Sequence, residues 1–136
     1  MTAPNDIRHG RHCVFQLLAH LVFVARRRGE VFTGQHLADL EAIFASVCAD
    51  FGAQLLNLAG GPDYVHLQVS YPPKVALAAL VNSLKGVSSR RLRTLHPQIL
   101  DLYWEGKLWS PSYGAISNAP GRPVPDAVSR FIAEQA

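Results

Sequence analysis

Gly60-Gly61-Pro62-Asp63-Tyr64-Val65-His66-Leu67-Gln68-Val69-Ser70-Tyr71-Pro72-Pro73 is the stretch on which the fold turns. Between its glycine and proline brackets the residues alternate, as side chains on a β-strand do. Val65, Leu67 and Val69 point one way and read as core; Tyr64, His66, Gln68 and Ser70 point the other and read as an open polar sheet face. A strand is predicted over Asp63–Tyr71.

Outward from that strand the elements fall into place. Gln54–Leu58 reads as a short strand joined to it through the Gly60-Gly61-Pro62 turn. Before it, Thr33 and Gly34 introduce Leu37, Leu40, Ile43, Phe44 and Val47 at spacings of three and four, an amphipathic helix closed by Phe51-Gly52. Cys13–Ala25, rich in β-branched and aromatic residues, predicts the first strand, with Arg26-Arg27-Arg28-Gly29 as its stop. Beyond Pro72-Pro73, Leu77, Leu80, Val81, Leu84 and Val87 mark a second helix running to about Leu95 and broken by His96-Pro97. A fourth extended region is predicted over Leu102–Ile116 around Trp104, Leu108 and Trp109, followed by a loop over Asn118–Pro123. Trp104 and Trp109 read as core or dimer contacts, and Tyr113 as structural. Val124, Val128, Phe131 and Gln135 then line one stripe of a last helix, with Pro125 in its first turn. The order β-α-β-β-α-β plus a helix is the split βαβ arrangement. The predicted fold is α+β: a ferredoxin-like antiparallel sheet with two helices on one face, the other face left free to present Tyr64, His66 and Gln68. A C-terminal helix of some 12 residues is marginal alone and must dock.

The chain of 136 residues carries 49% hydrophobic and 17% charged residues, which excludes disorder and is the size of one domain. Residues 1–12 read as a flexible arm and 13–136 as a single domain that includes the last helix, about 124–135. The most apolar run, Cys13–Ala25, is 13 residues long and contains Gln16 and His20, short of the ~18 a membrane span needs. A soluble, cytoplasmic protein without a membrane partner is expected. Cys13 and Cys48 have no metal-ligand spacing and read as buried free thiols.

Thirteen Lys and Arg against ten Asp and Glu leave a net charge of only +3, which excludes a polycationic tail. Its distribution is less even. Tyr64 to Leu100 contains no Asp or Glu but holds Lys74, Lys85, Arg90, Arg91 and Arg93, and Arg26-Arg27-Arg28 forms a second cluster. Two basic clusters in a small domain point to a nucleic acid. Arg90 and Arg93, three apart, share a helix face.

The His20-Leu21-Val22-Phe23 strand with its basic exit, Pro62-Asp63-Tyr64-Val65-His66-Leu67, Leu84-Lys85-Gly86-Val87-Ser88-Ser89-Arg90-Arg91, Leu108-Trp109-Ser110-Pro111-Ser112-Tyr113 and the terminal helix occur in this order. In these motifs the chain resembles the IS200-like transposases, the single-tyrosine HUH enzymes of bacterial insertion sequences. The resemblance implies a small homodimer that binds single-stranded DNA hairpins at element ends. It also implies a helix-borne tyrosine that attacks a phosphodiester to give a 5′-phosphotyrosine link. A divalent ion, magnesium or manganese, would be held by two histidines two residues apart and by a glutamine one turn beyond the tyrosine. Two positions depart from that pattern: Tyr64 stands where the first histidine is expected, and Phe131 stands where the nucleophile is expected, with Gln135 still four residues on.

Phenylalanine has no oxygen to attack with, so cleavage at that position is lost. A phenol whose ordinary pKa is near 10 is a poor neutral-pH ligand for a hard ion, so His66 and Gln135 are expected to remain only as vestigial ligands and metal binding to be weak or absent. Arg26, Arg27, Arg28, Lys85, Arg90, Arg91 and Arg93 are the expected DNA contacts. The leading reading is a hairpin-binding transposase relative that is inactive as an enzyme. Alternatives are a still-active enzyme using another tyrosine and a non-DNA interaction module on the same fold.

Overall fold

The structure, a computed structural model, describes residues 17–26, 30–102, 107–118 and 124–134. The expected arm 1–12, Cys13, Arg27, Arg28, Trp104 and Gln135 lie outside the described residues. Four strands, β1 (Leu17–Ala25), β2 (Gln54–Gly60), β3 (Tyr64–Tyr71) and β4 (Trp109–Asn118), form one sheet in the order β2-β3-β1-β4. Every pairing is antiparallel. The helices are α1 (Gly34–Asp50), α2 (Leu77–Leu95) and α3 (Asp126–Glu134). This is the ferredoxin-like split βαβ fold with an added C-terminal helix.

Strand parity builds the main core. Leu21, Phe23, Val65, Leu67 and Val69, all fully buried, face Leu40 and Phe44 of α1 and Leu80, Leu84 and Leu92 of α2. α1 starts where expected, because Thr33 caps it. The His36 N–H donates to Thr33 Oγ1 at 3.5 Å and the Thr33 N–H donates to His36 Nδ1 at 3.0 Å, which satisfies two amides at the helix end. It stops at Gly52, whose φ of +70° only glycine adopts without cost. Cys48 is buried among these side chains, and burial pushes its thiol up to about 11, so it packs as an inert thiol.

Five expectations need correction. The extended region predicted over 102–116 begins too early: Pro97–Leu102 is a 3-10 helix, and β4 runs from Trp109 to Asn118, taking in the first residue of the predicted loop. The 3-10 segment follows the end of α2 as a connector, and its Ile99 is 1% exposed. α2 starts at Leu77 rather than beside Pro72-Pro73, since those prolines make a turn closed by Val75 N–H donating to Pro72 O at 3.0 Å. Ser70 is buried rather than on an open face. The face opposite α1 and α2 is not free: α3 lies on it, with Val128 2% exposed against Val22 and Val24. Val124 is 53% exposed and off the stripe, and Ile132 joins Val128 and Phe131 there instead. β1 is buried on both faces, so apolar Val22 and Val24 are what α3 covers.

Candidate functional site

The β1/β3 register decides which side chains meet. His66 stands opposite Val22, Tyr64 opposite Val24, and Gln68 opposite His20, so the even-numbered residues of both strands share the α3 face. His20 and His66 are diagonal neighbours on that face, with His20 Nδ1 at 2.9 Å from His66 Nε2 and ring centroids 5.1 Å apart. One ring nitrogen donates and the other accepts. Burial pulls both imidazoles below the usual histidine pKa, and His66 is lowered further by its neighbour, so the pair is neutral at pH 7. His20 is a site residue that sequence reasoning did not single out. Its signal was parity with Val22 and Val24, but that parity becomes a contact only once the register is known.

Phe131 sits half-buried on α3 among Val22, Val24, Val128 and Tyr64. Its ring lies over Gly114 of β4, where an added Cβ would come within 3.0 Å of two ring carbons. Glycine is needed there because the ring occupies the space of a side chain. Between α3 and β4 runs a groove of about 390 Å³ lined by Gly114, Ile116, Arg130, Phe131 and Glu134 among others. Tyr64 and Phe131, the two departures, thus pack against one apolar cluster on the same face as His66.

Magnesium and manganese take about six ligands in octahedral geometry, mostly carboxylates, carbonyls and water. The described side chains with ligating atoms on this face include the two imidazoles, already bonded to each other, the Tyr64 phenol and the Gln68 amide, with no carboxylate beside the imidazoles. Among the described residues no three His, Cys, Asp or Glu side chains gather to hold an ion. The described residues do not fit a hard divalent ion.

The basic residues are elsewhere. α2 packs on the opposite face of the sheet, so Arg90, Arg91 and Arg93 are separated from His66 and Phe131 by the sheet itself. Arg90 and Arg91 are exposed and Arg93 half-exposed; Arg91 flanks an open groove of about 490 Å³ between α1 and α2. Arg26 is half-buried where β1 ends, its N–H donating to Leu108 O at 2.8 Å. Lys85 differs from the arginines: its ammonium donates to Ser110 O at 2.8 Å and Pro111 O at 3.4 Å and lies 5.6 Å from the Tyr113 ring centroid. Burial lowers its pKa, and the contacts tie α2 to β4. Beside it, the Trp109 indole N–H donates to Ser88 Oγ at 2.9 Å, which makes Trp109 a core residue.

A ferredoxin-like sheet carrying a histidine pair on one face, a terminal helix docked beside it and a basic helix end on the other defines a small α+β protein of the split βαβ class. The chain matches the family described as "Transposase IS200 like" over residues 13–135, and it belongs to that family. It is 36% identical to the ISDra2 transposase TnpA of Deinococcus radiodurans over 110 residues, 81% of this chain and 79% of that protein. It is 24% identical over 109 residues, 80% of this chain and 72% of that protein, to the transposase for insertion sequence element IS200 of Salmonella typhimurium. A crystal structure from Deinococcus radiodurans R1, assigned to the transposases, superposes with a TM-score of 0.84 at 29% identity, covering 95% of this chain and 98% of that one. A tyrosine transposase bound to a REP hairpin shares the fold, with a TM-score of 0.55 at 15% identity over 91% of this chain and 68% of that one. No described helix is long and apolar enough to cross a membrane.

Proposed function

We propose that this chain binds single-stranded DNA hairpins at insertion-sequence ends and no longer cleaves them. The observation that carries this reading is Phe131: the helix position expected to hold the nucleophile carries a ring without oxygen, packed over Gly114. A 5′-phosphotyrosine link cannot form there. The other described tyrosines support the reading. Tyr64 packs with Val22 and Val24, Tyr71 is 9% exposed in the core, and Tyr113 packs against the core beneath Lys85.

Recognition is assigned to the basic residues. Arg90, Arg91 and Arg93 project phosphate-seeking guanidinium groups from the end of α2, with Arg26, Arg27 and Arg28 at the exit of β1 as a second contact. Lys85 stiffens the α2–β4 seam that presents them. Phosphate contacts release counterions, and hairpin preference over plain duplex comes from shape and unpaired bases. The chain acts as a cytoplasmic homodimer in this reading, which sedimentation at micromolar concentration tests.

The experiment is a titration of a labelled hairpin at two salt concentrations, with the chain as it stands and with Arg90, Arg91 and Arg93 replaced by alanine. Affinity that falls with salt and with the triple change supports the reading. Affinity indifferent to both overturns it.

A further inference from the structure

The family's chemistry calls for a divalent ion at the strand histidines, and this chain has filled that place differently. His20 and His66 come from different strands, β1 and β3, and the register brings them together diagonally on the α3 face. His20 is 1% exposed, and its Nδ1 lies 2.9 Å from Nε2 of His66. A ring nitrogen engaged in a hydrogen bond, whether as donor or acceptor, has no lone pair left for a metal. Tyr64, two residues before His66, packs its ring with Val22, Val24 and Val128 rather than completing a ligand set.

We infer that the direct His20–His66 hydrogen bond stands in place of a bound ion, and that hairpin binding by this chain proceeds without a divalent metal. The second half rests on the DNA-binding reading above; the first does not. His20 is thereby a positioning residue: it commits the Nε2 of His66 to a hydrogen bond and orients its ring.

The test uses the full chain labelled with ¹⁵N at histidine. Long-range ¹H–¹⁵N spectra of the ring nitrogens are recorded during titration with manganese chloride to millimolar concentration. The His66 ring signals are expected to keep their intensity. Selective loss of those signals at submillimolar manganese overturns the inference, because it places the paramagnetic ion at the pair. In His20→Asn the ring nitrogen shifts of His66 are expected to move; shifts that stay put overturn the positioning role. If that variant does not fold, the manganese titration of the unmodified chain still decides the first half.

For the second half, hairpin affinity is measured in EDTA and in magnesium. Equal affinity is expected. A loss of about tenfold in EDTA overturns metal independence. No binding in either buffer overturns it together with the DNA reading, and the spectra then stand apart as the result on the histidine pair.

Discussion

At the scale of single residues, the two positions that depart from the family pattern, Tyr64 and Phe131, both pack against one apolar cluster. A phenol at residue 131 would place an oxygen at the edge of the α3–β4 groove; phenylalanine leaves only the ring over Gly114. Phe131→Tyr is accordingly expected to fold as the unmodified chain does, which thermal melting checks. The Lys85–Ser88–Trp109 seam is a second residue-level device. Ser88→Ala strands a buried indole N–H whose hydrogen bond is 2.9 Å long, and urea unfolding is expected to show a loss of about 1–3 kcal/mol. Acid sensitivity belongs here too. His20, His36 and His66 have pKa values below their ordinary 6.5, so the unfolded chain binds protons that the folded chain refuses. Their contribution is present above the unfolded pKa and is lost as pH falls below it. The midpoint of unfolding is expected to drop as pH is lowered from 7.5 through 6.5 towards 5.5. A midpoint that rises over that interval would contradict the neutral histidine pair.

Among the elements, α3 is the one whose placement makes the site. It is nine residues long, too short to hold its helix alone, and docks through Val128, Phe131 and Ile132. Gly114→Ala puts a methyl into the Phe131 ring, which must move outward. A cost of about 1–3 kcal/mol and faster proteolysis within α3 are expected. The cost is expected to vanish in the Phe131→Ala background, because the two changes share one contact. These elements differed in how far they could be read. β3 was legible because its period-two pattern is clean, and α1 because Thr33 and Gly52 mark its ends. The start of β4 was not, since the apolar residues before Trp109 carry no period that marks where a strand begins. The docking of α3 was foreseeable from its length; its seat on Val22 and Val24 was not, because β1 is apolar on both faces and hides which side is covered. His20 was not assigned to the site for the same reason, as a polar residue in an apolar run whose partner is set by register.

Over the whole molecule the sheet separates two groups of polar residues. One face keeps the histidine pair and the docked helix; the other carries α2 and its exposed arginines. A net charge of +3 is a poor guide to that arrangement, because three of the thirteen basic residues sit together at one helix end. Replacing Arg90, Arg91 and Arg93 with alanine is expected to reduce the slope of log affinity against log salt by about 2, at roughly 0.7 per lost phosphate contact on a single strand. An unchanged slope would move the DNA to another surface. The central claim is that the chain holds hairpin DNA without reacting with it. Its most direct test is to incubate the protein with a labelled single-stranded hairpin substrate and manganese, and to run the mixture on both native and denaturing gels. A shifted complex on the native gel with no labelled band at protein size on the denaturing gel is the predicted result. A covalent protein–DNA band from the unmodified chain would contradict it.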